Sequence, residues 1–145
     1  MKMKREIEYL QRIRKLNTMI RNKEAERLQW KQIAAGMGSF STGDRVQSSG
    51  NPHKTADAIA AYVDIEKEIN AAIDKLIDTK REVIAMIEQL PEAEYDLLHK
   101  VYVQYMSLKE AAYAMDKTYS WATSMHGIAL KHVSELLDQI EMQDV

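Results

Sequence analysis

The chain has no cysteine, which excludes a disulfide framework, thiolate chemistry and cysteine-ligated zinc. It has only two prolines, five glycines and one phenylalanine among 145 residues. Alanine, isoleucine, leucine, methionine, glutamate and lysine are abundant instead, and that composition argues for an all-α chain. No apolar run is long enough to span a bilayer, so no membrane partner is expected. The opening MKMKREIEYL turns amphipathic rather than continuously apolar, unlike a signal peptide. The expectation is a cytoplasmic protein of one domain, or of a small domain with a helical extension.

Catalytic constellations are missing as well. There is no Gly-rich phosphate loop, Ser-His-Asp set or activated nucleophile, so an enzyme is not expected, nor any catalytic residue or cofactor. Asp64 and Glu68 stand one helical turn apart, but no third carboxylate or histidine repeats at bundle metal spacing. His126 and His132 are six residues apart and the other two histidines are isolated, so no metal site is expected.

What is present begins with an uneven charge distribution. Residues 1–35 carry ten Lys/Arg against four Glu, a net of +6, whereas residues 56–91 net −4 and residues 92–145 net −5. Either the basic end packs on an acidic helix, or it seeks an acidic partner such as nucleic acid.

Residues 3–34 read as a helix, with Met3, Ile7, Leu10, Ile13, Leu16 and Ile20 at spacings of three and four. The stripe thins to Ala25, Leu28 and Ile33, and Gly36 suits a left-handed cap. Residues 36–54 are Gly- and Ser-rich without helical period, and read as a long loop. A second helix is expected from Thr55, as N-cap, to about Leu90. Ile69, Ile73, Leu76, Val83, Ile87 and Leu90 form one stripe of that helix. Ile65, Ala72, Ile77 and Ile84 form another. Together these imply a long, coiled-coil-like antiparallel helical hairpin over residues 1–90. Its second stripe either makes a homodimeric four-helix bundle or covers the C-terminal helices of a monomer.

Residues 91–145 read as a separate helical domain. Pro91 ends the hairpin and starts a helix over 92–105, with Leu97, Leu98, Val101 and Tyr105 turned inward. Ser107 and Glu110 form a capping box for a short helix over 107–115. Asp116 and Lys117 make a turn, and Thr118 caps a last helix reaching about Ile140. Ala111, Ala112 and Ala114 permit a close helix crossing. Ala122, Met125, Ala129, Leu130, Val133 and Leu137 keep the apolar period of the last helix. This is helix-turn-helix patterning, in which the first turns of the second helix meet base edges in the major groove. The candidate DNA-binding residues are Ser107, Lys117, Thr118, Tyr119, Ser120, Trp121, Thr123, Ser124 and Lys131. Trp121 suits packing as well as it suits a thymine contact.

The motifs Ser107-Leu108-Lys109-Glu110, Asp116-Lys117-Thr118 and Ala129-Leu130-Lys131 align without a gap to region four of the sigma-70 family, which this segment resembles. Most of the chain is similar to small prophage proteins of Gram-positive bacteria, of the RinA and ArpU late-activator type. The likeness lies in Val46-Gln47-Ser48-Ser49, in Asp64-Ile65-Glu66-Lys67-Glu68-Ile69-Asn70 and in His126-Gly127-Ile128-Ala129-Leu130. The resemblance implies a phage or prophage transcriptional regulator that binds double-stranded promoter DNA, bacterial RNA polymerase, or both. The sigma pattern carries arginines where this chain has Tyr119, Ser120, Trp121, Thr123 and Ser124. Added affinity would then come from Arg12, Arg14, Lys15, Arg21 and Lys23, from dimerisation, or from polymerase tethering. Two other functions fit the same layout: the small terminase subunit of a phage packaging motor, and a protein-interaction module without DNA binding.

Overall fold

The computed structural model describes residues 3–36 and 52–144. These residues form an all-helical structure: α1 (Lys4–Leu10), α2 (Arg12–Ala34), α3 (Pro52–Ile87), α4 (Glu92–Leu98), a π-helical turn (His99–Val103), α5 (Leu108–Ala114) and α6 (Tyr119–Gln143). No described helix is long and apolar enough to cross a membrane. The 46–49 motif and most of the expected 36–54 loop lie outside the described residues. Gly36 adopts the left-handed backbone, with φ of 78°.

Several boundaries differ from those that periodicity predicts, each for a local reason. The single helix expected over 3–34 is interrupted at Gln11. Neither proline nor glycine is responsible. The Arg12 Nε donates to the Tyr9 carbonyl at 3.1 Å, and its guanidinium lies 4.2 Å from the centre of the Tyr9 ring. A side chain thus competes for a carbonyl of the helical ladder, a recognised cause of helix breaks. Helix α3 begins at Pro52, so Thr55 lies within its first turns rather than capping it. Proline's fixed φ starts a helix well, and that advantage wins here over the threonine hydroxyl.

The described residues divide into two compact units, and α2 and α3 contribute to both. In residues 16–75 the buried apolar side chains are Leu16 and Ile20 with Ala58, Ile65, Ile69 and Ala72. Lys23–Glu68 at 2.6 Å and Arg27–Glu66 at 3.6 Å are ion pairs of this unit. Leu28, Ile33, Ile59 and Val63 are exposed, so the α2 stripe ends as a buried surface at Ile20.

The other unit joins residues 1–15 with residues 76–145, a division that does not follow the 90/91 boundary. Its core draws Leu10 and Ile13, Val83, Met86, Ile87 and Leu90, Leu98 and Tyr102, and Leu130, Val133 and Leu137 into one cluster. A second cluster consists of Leu97, Ala111, Ala112 and Ala122. Arg5 of α1 reaches Asp138 at 3.0 Å and Glu141 at 3.2 Å on α6, and Arg12 reaches Glu82 at 2.6 Å. Part of the basic N-terminal end therefore packs on acidic helices. Pairs this exposed contribute little stability each.

The expected 92–105 helix ends as α4 and then widens. In the π-helical turn the Gln104 N–H donates to the His99 carbonyl, and the Met106 N–H donates to the Lys100 carbonyl, both at 2.9 Å. The extra residue per turn shifts the inward face, so Tyr102 is buried while Val101 and Tyr105 are half-buried. Tyr105 is left with φ of 65°.

Asp116, at φ 58°, ends α5 in a Schellman arrangement, with the Lys117 N–H donating to the Ala112 carbonyl at 2.9 Å. Glycine holds this backbone without a Cβ penalty. Asp116→Gly is therefore expected to raise unfolding stability by about 0.5–1 kcal/mol, read as a higher urea midpoint. A lower midpoint would show that the aspartate side chain contributes more than its backbone costs.

Candidate nucleic-acid interface

Two capped helices and the turn between them place the candidate residues. The Ser107 Oγ accepts from the Glu110 N–H at 3.0 Å, and the Ser107 N–H donates to the Glu110 carboxylate at 2.8 Å. These bonds hold the Glu110 carboxyl below its usual range, the backbone bond most of all. The Thr118 Oγ1 accepts from the Trp121 N–H at 3.0 Å. Ala111, Ala112 and Ala122 have almost no exposed surface, so α5 and α6 meet through side chains of one carbon. That close crossing fixes which face of α6 is left outside.

The outward face carries Tyr119, Ser120, Thr123, Ser124, Gly127 and Lys131, all exposed. The hydroxyl of Thr123 is occupied locally, donating to the Tyr119 carbonyl at 3.0 Å. Ser107 and Thr118 are exposed, and their oxygens serve as cap acceptors. Trp121 is different. Half-buried, it packs against the Leu97–Ala122 cluster, with the Lys117 Nζ 5.3 Å from its ring centre. A shallow depression of about 840 Å³ lies beside this face, lined by Ser107, Leu108, Lys109 and Tyr119.

Gly127 stands out on this face. A Cβ added there would meet nothing within 4 Å. The fold itself therefore gives no packing reason for glycine, although glycine in a helix interior costs about 1 kcal/mol relative to alanine. With Ser120 and Ser124 it makes a low ridge that a partner could approach closely.

Positive charge here is sparse. Lys109, Lys117 and Lys131 are exposed. His132 is paired with Glu94, its Nδ1 2.6 Å from the carboxylate oxygen, which removes it from the cations available to a partner. Glu94 stands in the first turn of α4. Its burial at 5% exposure and its bond across 38 residues had no local signal. Of the basic residues proposed to add affinity, Arg12 and Lys23 are held in ion pairs.

The bond to Glu94 raises the His132 pKa above its ordinary value, whereas burial lowers that of His126. Their contributions to stability therefore oppose. The His132 contribution is full below its unfolded pKa of about 6.5 and is lost as pH rises through the folded value. The His126 contribution is lost as pH falls from about 6.5 through its lowered value. His132→Gln is expected to destabilise most below pH of about 6 and least at alkaline pH, read from urea midpoints across pH. An equal loss at every pH would rule out a charged pair.

Among the described residues no group of three His, Asp or Glu is placed to hold a metal ion. Compared with known proteins, the chain matches no family model, no curated protein and no solved structure.

Proposed function

We propose that this chain is a non-enzymatic prophage-type transcriptional regulator. In this reading α5 and α6 form a sigma-region-four-like helix-turn-helix that docks on promoter DNA. The observation that carries the reading is the outward face of α6. Small and hydroxylated side chains at Ser120, Ser124 and Gly127 lie beside Tyr119, Lys117 and Lys131, next to the positive end of a 25-residue helix. Phosphates would be met by lysines and hydroxyl donors, and the low ridge would let the helix backbone approach the duplex. The Lys23–Glu68 and Arg27–Glu66 pairs run in opposite directions along α2 and α3, which supports an antiparallel hairpin as the second part of the molecule. The hairpin would also be the homodimerisation element.

One observation favours a second reading. With no arginine on the face and His132 engaged, the same ridge would suit a protein partner such as RNA polymerase. Chromatin immunoprecipitation of the tagged full chain, paired with fluorescence anisotropy on the enriched fragments over a salt series, tests both. Discrete enriched sites and affinity falling steeply with salt are expected. Capture of polymerase with no affinity for the enriched DNA would replace the first reading by the second.

A further inference from the structure

We propose that a cavity of the unit formed by residues 1–15 and 76–145 binds a small organic carboxylate. The cavity measures about 170 Å³ and is lined by Gln11, Arg14, Val101, Tyr102, Leu108 and His126. That is close to the roughly 150 Å³ cavities that accept benzene-sized ligands, but this one has polar walls. It is a site separate from the face of α6 and does not rest on DNA binding.

Two backbone irregularities line this cavity, and a third adjoins it through Arg14. Gln11 is the residue at which α1 and α2 break, and Val101 and Tyr102 belong to the π-helical turn. Tyr105, whose ring lies 5.3 Å from the Arg14 guanidinium, has the left-handed backbone that residues with a Cβ rarely hold. Irregularities of these kinds concentrate at functional sites.

The polar groups suit one negative charge. Among the described residues Arg14 has no ion pair and no hydrogen-bond acceptor, so its five donors are uncommitted. Gln11 adds an amide. At the inner wall the Tyr102 hydroxyl lies 2.8 Å from the His126 Nε2, with the rings stacked at 5.8 Å. When His126 carries its proton on Nε2, it donates to the Tyr102 oxygen and frees the phenol proton for a ligand. The opposite tautomer uses that proton internally. A bound carboxylate therefore selects the first tautomer. Val101 and Leu108 provide apolar wall for a short hydrocarbon tail. A phosphate dianion would meet a single cation and no such need for apolar contact, so the carboxylate is the better match.

The test is a titration of the full-length protein, labelled with ¹⁵N-histidine, with acetate, butyrate and benzoate at constant ionic strength. A saturable shift of the His126 Nε2 resonance toward the protonated form is expected, with butyrate or benzoate tighter than acetate. Arg14→Gln, at an exposed position, is expected to keep the helical circular dichroism and to weaken binding about tenfold or more. Absence of a saturable change with all three acids would overturn the site. So would equal affinity in Arg14→Gln, or the same response to sodium chloride. Tighter binding of inorganic phosphate than of butyrate would overturn the assignment to a carboxylate.

Discussion

Replacing Ser120 and Ser124 together with glutamate is expected to weaken binding to double-stranded DNA by about a hundredfold or more at low ionic strength. Two hydroxyl donors are lost, and two negative charges are placed against phosphates whose neutralisation supplies most of the non-specific affinity. The same substitution is expected to leave the fold intact. Both side chains are exposed, so no core contact is removed. Glutamate at position 120 also sits in the first turn of α6, where the helix dipole favours an acid by about 0.3–1 kcal/mol. Unfolding stability and DNA affinity should thus move in opposite directions or the first should stay level. Unchanged affinity in a folded double variant would refute recognition through this face. Gly127→Ala makes a milder version of the same separation, with helix stability rising as close approach becomes harder.

The parts of this architecture that were legible in the sequence are those determined by neighbours in the chain. The Ser107 and Glu110 pair, three residues apart before an apolar run, specifies a capping box from local hydrogen bonding alone, and Thr118 marks the start of α6 as a simple N-cap. The alanines at 111 and 112 marked a close crossing, because only small side chains let two helices approach so nearly, whereas Ala114 of the same set is exposed and Ala122 of α6 takes its place in the contact. Long-range pairings carried no such mark. Glu94 and His132 each look like ordinary surface residues until the fold brings them within 2.6 Å. Tyr102 became the inward residue because a π-helical turn added one residue to the period, and an α-helical template reads Val101 and Tyr105 instead. Trp121 is a related case: its spacing left packing and an outward contact equally open, and the size of its ring beside the shallow alanine crossing draws it against the core. The candidate face was therefore readable as a surface, but its membership was not.

Helix α3 shows how far periodicity alone can go, and it sets the second large expected effect. Ile87 and Ile77 both belonged to apolar stripes of the hairpin as read from sequence. Ile87 has no exposed surface and lies in the cluster with Leu10, Leu98, Leu130 and Val133, whereas Ile77 is 44% exposed. Ile87→Ala is expected to cost about 2–5 kcal/mol, the sum of lost transfer energy and a cavity that five helices cannot close. Because that loss is a large share of a typical domain's stability, it should be visible as a marked fall in the urea midpoint. Ile77→Ala should cost about 0.5 kcal/mol or less, since most of what it removes already faces water. Ile77 borders a shallow groove with Lys80, Arg81, Ile84, Ala85 and Glu88, where basic and acidic side chains flank apolar ones on a single helix. A loss at Ile77 that grows with protein concentration would assign this groove to a contact between copies of the chain, and would make the second stripe a dimer seam. A small loss independent of concentration would leave the stripe as exposed surface. In either case the ratio of the two effects measures how much of an apolar pattern on one helix has been converted into core.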